Sequence, residues 1–251
     1  MKERVLVLDI LDHPTFSFRE DYVEVLERAA RPSTEVVVLE PIADGGFADL
    51  DPADYIGVIV SGSFTSYSTP VPWMGELRAF IERARDYGRI PLLGVCMVHE
   101  LMADMYGGEV ALHPDGSELG TRQFHLTDEG RKSPLFAGFP PTFAMQSAHR
   151  HDVVRVPRET TVLAFNDRCP YQAFRYQNLF GVQFHVDVPA DTLRGWIRTN
   201  LDADALISQG RIQRREDYEP WLDHIHDTPE RQLFFANFVN LCYSWRKPSD
   251  H

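Results

Sequence analysis

Ile90-Pro91-Leu92-Leu93-Gly94-Val95-Cys96-Met97-Val98-His99-Glu100 is an apolar run that ends on a cysteine and turns at once into a helical pattern. The pattern continues to Tyr106 and is stopped by Gly107-Gly108. The stretch predicts a strand, a sharp turn and a helix, with Cys96 at the turn. Such a turn presents one side chain at the end of a sheet and aims a helix N-terminus at it. That placement favours the thiolate, the attacking form of cysteine. A buried structural cysteine fits the same stretch taken alone.

Upstream, Val5 to Ile10, Val36 to Leu39 and Ile56 to Val60 are short continuous apolar runs, as expected of buried parallel strands. Asp12-His13-Pro14 breaks the first. Tyr22, Val25, Leu26 and Ala29 recur at helical spacing, and so do Trp73, Leu77, Phe80, Ile81 and Ala84 ahead of Gly88. Strands alternating with helices predict an α/β fold with an open, mostly parallel sheet flanked by helices. Its sites then lie at the strands' C-terminal ends.

Downstream, strands are predicted at Glu109 to Leu112, Arg122 to Leu126, Val153 to Val156 and Thr161 to Phe165, and a hairpin joins Tyr171–Arg175 to Leu179–Phe184. Pro189 opens a helix through Trp196 and Ile197. Residues 202 to 227 are charged and weakly periodic. Leu233, Phe234, Phe238, Leu241, Cys242 and Trp245 then share one face of a helix expected to pack on the sheet. The organisation expected is a catalytic domain over residues 1–200 and a helical extension, 201–251, packed on the same domain.

Phe180-Gly181-Val182-Gln183-Phe184-His185-Val186-Asp187 reads as a strand ending in a histidine and a carboxylate two residues apart. In extended chain such residues point the same way, so Asp187 can orient His185 while His185 activates Cys96. Ser61-Gly62-Ser63-Phe64 follows the third strand, where a glycine lets a backbone amide face a substrate.

Together these stretches resemble the class I (triad) glutamine amidotransferases. That family's nucleophile motif is G-x-C-x-G-x-Q, its base motif Q-F-H-P-E, and its oxyanion loop S-G-G or S-G-S. Gly94, Cys96, Gln183, Phe184, His185 and Ser61-Gly62-Ser63 match. The resemblance implies a flavodoxin-like fold, a nucleophile at Cys96, a base at His185 oriented by Asp187, and an oxyanion hole from the amides of Gly62, Ser63 and Met97. It also implies that Glu100, Phe64 and His149 border the substrate. Three positions depart from the family: Val98 stands for its second glycine, Glu100 for its glutamine, and Val186-Asp187 for its P-E. A glutamate four residues after the nucleophile is similar to the folate γ-glutamyl hydrolases, with G-x-C-x-G-F-E. Ser147-Ala148-His149-Arg150-His151-Asp152 also has metal-ligand character, but no matching cluster supplies further ligands, so no metal or other cofactor is expected.

A formal charge of -12 over 251 residues argues against non-specific nucleic-acid binding. Three widely spaced cysteines, at 96, 169 and 242, form no disulfide framework and fit a reducing cytoplasm. No apolar run is long enough to span a membrane or serve as a signal peptide, and no fused synthetase domain is expected.

The expected function is hydrolysis of γ-glutamyl-amine conjugates, small-molecule substrates, through a thioester on Cys96. The alternatives are a glutaminase subunit passing ammonia to a separate synthase or ligase partner, and a non-catalytic binding relative. Phe64, Tyr67, Trp73, Met97 and Val98 are expected to form an apolar wall on the leaving-group side.

Overall fold

The computed structural model describes residues 3–11 and 19–245. The predicted break at Asp12-His13-Pro14 lies outside them. In chain order the strands are β1 (Glu3–Leu8), β2 (Thr34–Leu39), β3 (Gly57–Val60), β4 (Leu92–Val95), β5 (Glu109–Leu112), β6 (Glu118–Leu126), β7 (Thr142–His149), β8 (His151–Arg155), β9 (Thr161–Phe165), β10 (Ala173–Tyr176) and β11 (Leu179–Val182). The α-helices are α1 (Arg19–Ala29), α2 (Pro41–Asp44), α3 (Pro72–Tyr87), α4 (Met97–Met105), α5 (Asp128–Lys132), α6 (Ala190–Asn200), α7 (Ala203–Ser208), α8 (Tyr218–Asp223) and α9 (Glu230–Trp245).

Nine strands form one sheet in the order β2-β1-β3-β4-β11-β10-β9-β6-β7. The first five run parallel, and from β11 onward every neighbour is antiparallel. β5 and β8 pair separately as an antiparallel ribbon. The parallel half alternates its apolar residues between two cores, as a strand buried on both faces must. Val5 and Val7 pack with Tyr22 and Leu26 of α1 and with Phe235 and Phe238 of α9. Leu6 and Leu8 pack with Leu77 and Phe80 of α3 and with Val98 and Leu101 of α4.

Two sequence expectations change. β7 carries Gln146, Ser147 and His149 among its residues, a mixture with little apolar alternation, and was not predicted. The strand expected through Asp187 ends at Val182, and His185 makes only an isolated bridge to Gln146. The chain leaves the ladder there because residues 183–187 turn across the sheet's C-terminal edge.

β3, β4 and β11 are neighbours, with Val60 opposite Gly94 and Gly94 opposite Gly181. They deliver Gly62, Cys96 and His185 to the same edge. In parallel strands this edge is where a site can form, because the connections leaving it stay open to solvent.

Candidate active site

Cys96 has φ 49° and ψ −105°, a conformation that side chains with a Cβ rarely adopt. Its amide donates to Val182 O at 2.8 Å, and its carbonyl accepts from the Glu100 amide at 3.1 Å. Strand pairing on one side and the first turn of α4 on the other hold the turn in place. The thiol is only 6% exposed but faces a pocket of about 840 Å³.

Val98 fits at this turn because of Gly94. A Cβ on Gly94 would stand 2.5 Å from Val98 Cγ1 and 2.8 Å from Met102 Cε. The space that a side chain on β4 would fill is taken by the valine of α4.

His185 is hydrogen-bonded to the Cys96 sulfur. Its Nδ1 lies 3.0 Å from Asp187 Oδ1, which leaves Nε2 for the sulfur. Asp187 therefore reaches despite being one methylene shorter than glutamate. Its second oxygen accepts from Tyr22 Oη at 2.9 Å. Arg231 Nε, from α9, donates to Val186 O at 2.8 Å and pins the connecting loop. Burial opposes a charge on His185, but Cys96 and Asp187 outweigh it and raise its pKa well above the ordinary value. Burial also opposes the charge on Asp187, yet His185 and Tyr22 hold its pKa low. Tyr22 is the residue that sequence reasoning missed here: at helical spacing it reads as core, and only the fold aims its hydroxyl at residue 187.

Gly62 backs onto both reacting side chains, since a Cβ there would lie 3.1 Å from His185 Cε1 and 3.3 Å from Cys96 Cβ. The amides of Gly62, Ser63 and Met97 have no acceptor among the described residues. Ser61, just before them, is fixed by its amide to Leu8 O at 3.0 Å and by its hydroxyl to Asp9 Oδ1 at 3.2 Å.

Glu100 lies one turn below Cys96 on α4 and lines the pocket. Burial raises its pKa to about 7, against the hydrogen bond it accepts from Gln183 Nε2 at 3.1 Å. Gln183 Nε2 also faces Cys96 Sγ at 3.8 Å, and its oxygen meets His99 Nδ1 at 3.3 Å. His149 sits between two carboxylates, with Nε2 2.9 Å from Glu118 Oε2 and Nδ1 3.2 Å from Asp152 Oδ1. Burial disfavours its charge, but these carboxylates lift its pKa to about 10. Glu118 in turn accepts from Ser147, Asn166 and Gln172, so that despite its burial these bonds and His149 pull it down to about 2. Glu118 is a second residue that the sequence did not single out, because its partners come from β7 and the β9–β10 connection. No group of three or more His, Cys, Asp or Glu among the described residues is arranged to hold a metal ion.

Phe64 and Met97 line the pocket as expected, but Tyr67, Trp73 and Val98 do not. Val98 and Trp73 belong to the core beneath α3 and α4, and Tyr67 packs edge-on against His151. The other apolar lining comes instead from α6 and its flanks, where Trp196 stacks on Phe64 with ring centroids 5.6 Å apart.

The sequence model of the glutamine amidotransferase class-I family matches residues 18–193. A stretch of 135 residues is 34% identical to the glutamine-hydrolyzing subunit of GMP synthase from Methanopyrus kandleri, covering 53% of this chain and 66% of that one. A stretch of 156 residues is 26% identical to gamma-glutamyl peptidase 5 of Arabidopsis thaliana, covering 61% of this chain and 62% of that one. The matched stretches thus span about two thirds of these relatives' length. A solved glutamine amidotransferase of Thermotoga maritima has the same fold, with a TM-score of 0.71 at 20% identity over 96% of this chain and 98% of that one.

Proposed function

The chain belongs to the class-I glutamine amidotransferase family, and from that premise we propose that it hydrolyses γ-glutamyl amides through a thioester on Cys96. The observation that carries this reading is the convergence of Cys96, the His185–Asp187 pair and the unpaired Gly62 and Ser63 amides at the ends of three adjacent strands. The sulfur adds to the side-chain carbonyl carbon, and the oxyanion is held by the amides of Gly62, Ser63 and Met97. Each such donor is worth about 100- to 1000-fold in rate. The C–N bond breaks as His185 gives its proton to the leaving nitrogen. Water then adds to the thioester, His185 takes its proton, and the C–S bond breaks to release glutamate and restore the thiolate. Asp187, steadied by Tyr22, keeps the imidazole in the tautomer this cycle needs. Glu100 receives the substrate's α-ammonium, and His149 with Glu118 closes that end of the pocket.

Acid-quenched enzyme mixed with a γ-glutamyl amide is expected to carry one γ-glutamyl group on Cys96 by mass spectrometry, and Cys96→Ala to carry none and lose turnover. Undiminished turnover in Cys96→Ala overturns the reading. A second reading, a glutaminase subunit feeding ammonia to a separate synthase, is favoured by the relatives that are glutamine-hydrolyzing subunits of GMP synthase. It predicts glutamine hydrolysis that awaits a partner protein, whereas the first predicts turnover by the isolated chain. A non-catalytic binding role is disfavoured by the intact Cys96–His185 contact.

A further inference from the structure

The pocket is chemically two-ended. On the α4 side of Cys96 its lining is charged and buried: Glu100, Glu118 and His149. On the His185 side it is apolar: Phe64, Val188, Leu193 and Trp196. The reaction orients the substrate between these ends. The acyl carbon must sit on Cys96, and the leaving nitrogen must sit within reach of His185, which protonates it. The glutamyl ammonium and carboxylate then extend toward the charged end, and whatever is attached to the leaving nitrogen extends toward the apolar end. Ammonia would leave that end empty. The whole pocket, about 840 Å³, falls in the size range that accepts a drug-sized ligand.

The apolar end is built by parts of the chain outside the family match. That match stops at residue 193, and Trp196, Leu201 and Gln209, which complete the wall, lie beyond it. The segment is tied down at both ends. Tyr218 Oη donates to Leu201 O at 2.8 Å, and Arg211 Nη2 donates to Ser117 Oγ, on the opposite wall, at 2.8 Å. The flat Phe64–Trp196 pair, with an interplanar angle of 15°, offers a surface shaped for a flat group.

We infer that this wall is a leaving-group subsite, and that the conjugates hydrolysed carry a primary amine with a flat, apolar body, such as an aryl or arylalkyl amine. The inference rests on the γ-glutamyl hydrolase reading of the same site. The test measures kcat/KM for γ-glutamyl anilide, γ-glutamyl methylamide and glutamine with the full chain, Trp196→Ala and Phe64→Ala. Phe64 is 50% exposed, so its replacement leaves the core intact. Each substitution is expected to lower the anilide-to-glutamine ratio by about tenfold, the scale of one lost aromatic contact. The methylamide-to-glutamine ratio is expected to move much less. Comparing ratios between variants cancels the anilide's intrinsically better leaving group. An unchanged anilide-to-glutamine ratio in both variants overturns the subsite but leaves the hydrolase reading standing. Absence of turnover on all three substrates, with no acyl group on Cys96, overturns both.

Discussion

At the residue scale, the least expected feature is a carboxylate beside the reacting thiol. Glu100 is 4% exposed, and burial brings its pKa to about 7, so that it changes charge near neutrality. If its anion receives the substrate ammonium, kcat/KM rises as pH increases through about 7, where the carboxyl loses its proton. Glu100→Gln is expected to remove that inflection from the pH profile and to weaken substrate binding above it. A profile with the same inflection in the variant assigns it to another group. Tyr22 shows the converse case. Its pKa is raised well above the ordinary value by burial first and by Asp187 next, so it stays a hydrogen-bond donor to that carboxylate.

At the element scale, the close seating of α4 on β4 and β11 decides where Cys96 points. Gly94 and Gly181 are cross-strand neighbours, and both lack the Cβ that would lift the helix. Val98 uses the room over Gly94, while His99 Cδ2 would stand 2.9 Å from a Cβ on Gly181. Gly94→Ala is therefore expected to destabilise the fold by about 1–3 kcal/mol, the usual cost of overpacking a dense core. Adding Val98→Gly, which restores the family pattern, is expected to return part of that loss. Denaturant titration of the two single variants and the double variant measures the coupling. Additive losses mean that the two side chains do not compete for the space. The helices on the far face matter as well, since α1 supplies Tyr22 and α9 supplies Arg231 to the loop that carries Asp187.

At the scale of the whole molecule, a buried ion network joins β6, β7 and the start of β8. His149 has a folded pKa of about 10 against an ordinary 6.5, so its stabilisation is complete below about 6.5 and lost as pH rises toward 10. Glu118 is pulled to about 2 from 4.5, so its share is present above 4.5 and lost as acid approaches 2. Glu118→Gln takes away one of the two carboxylates that keep His149 charged. Melting temperatures measured from about pH 6 to 10 are expected to fall with pH in the wild type and to fall less in the variant, from a lower start. Parallel curves for the two proteins reject the network as the source of the slope.

Much of the parallel half of this fold is written locally. Val5 to Ile10, Ile56 to Val60 and Leu92 to Val95 are uniform apolar runs, and a strand buried on both faces needs nothing subtler. The turn at Cys96 and the spacing of His185 and Asp187 were legible for the same reason, since each depends on neighbours in sequence. The antiparallel half was harder. β7 mixes polar and apolar residues because its polar side chains face the pocket network rather than solvent. The amino-acid sequence by itself determined the α/β plan, the candidate nucleophile, its histidine and the glycine behind them. Tertiary structure alone decided that Tyr22 and Arg231 support residues 186–187, that Glu118 holds His149 charged, and that Trp196 rather than Trp73 faces the pocket. These pairings join residues 31 to 165 positions apart, and Phe64 and Trp196 meet across 132. Hydrophobic periodicity reports which face of an element is buried. It does not report which other element that face meets, and it is that meeting which places a hydroxyl, a carboxylate or an indole at the site.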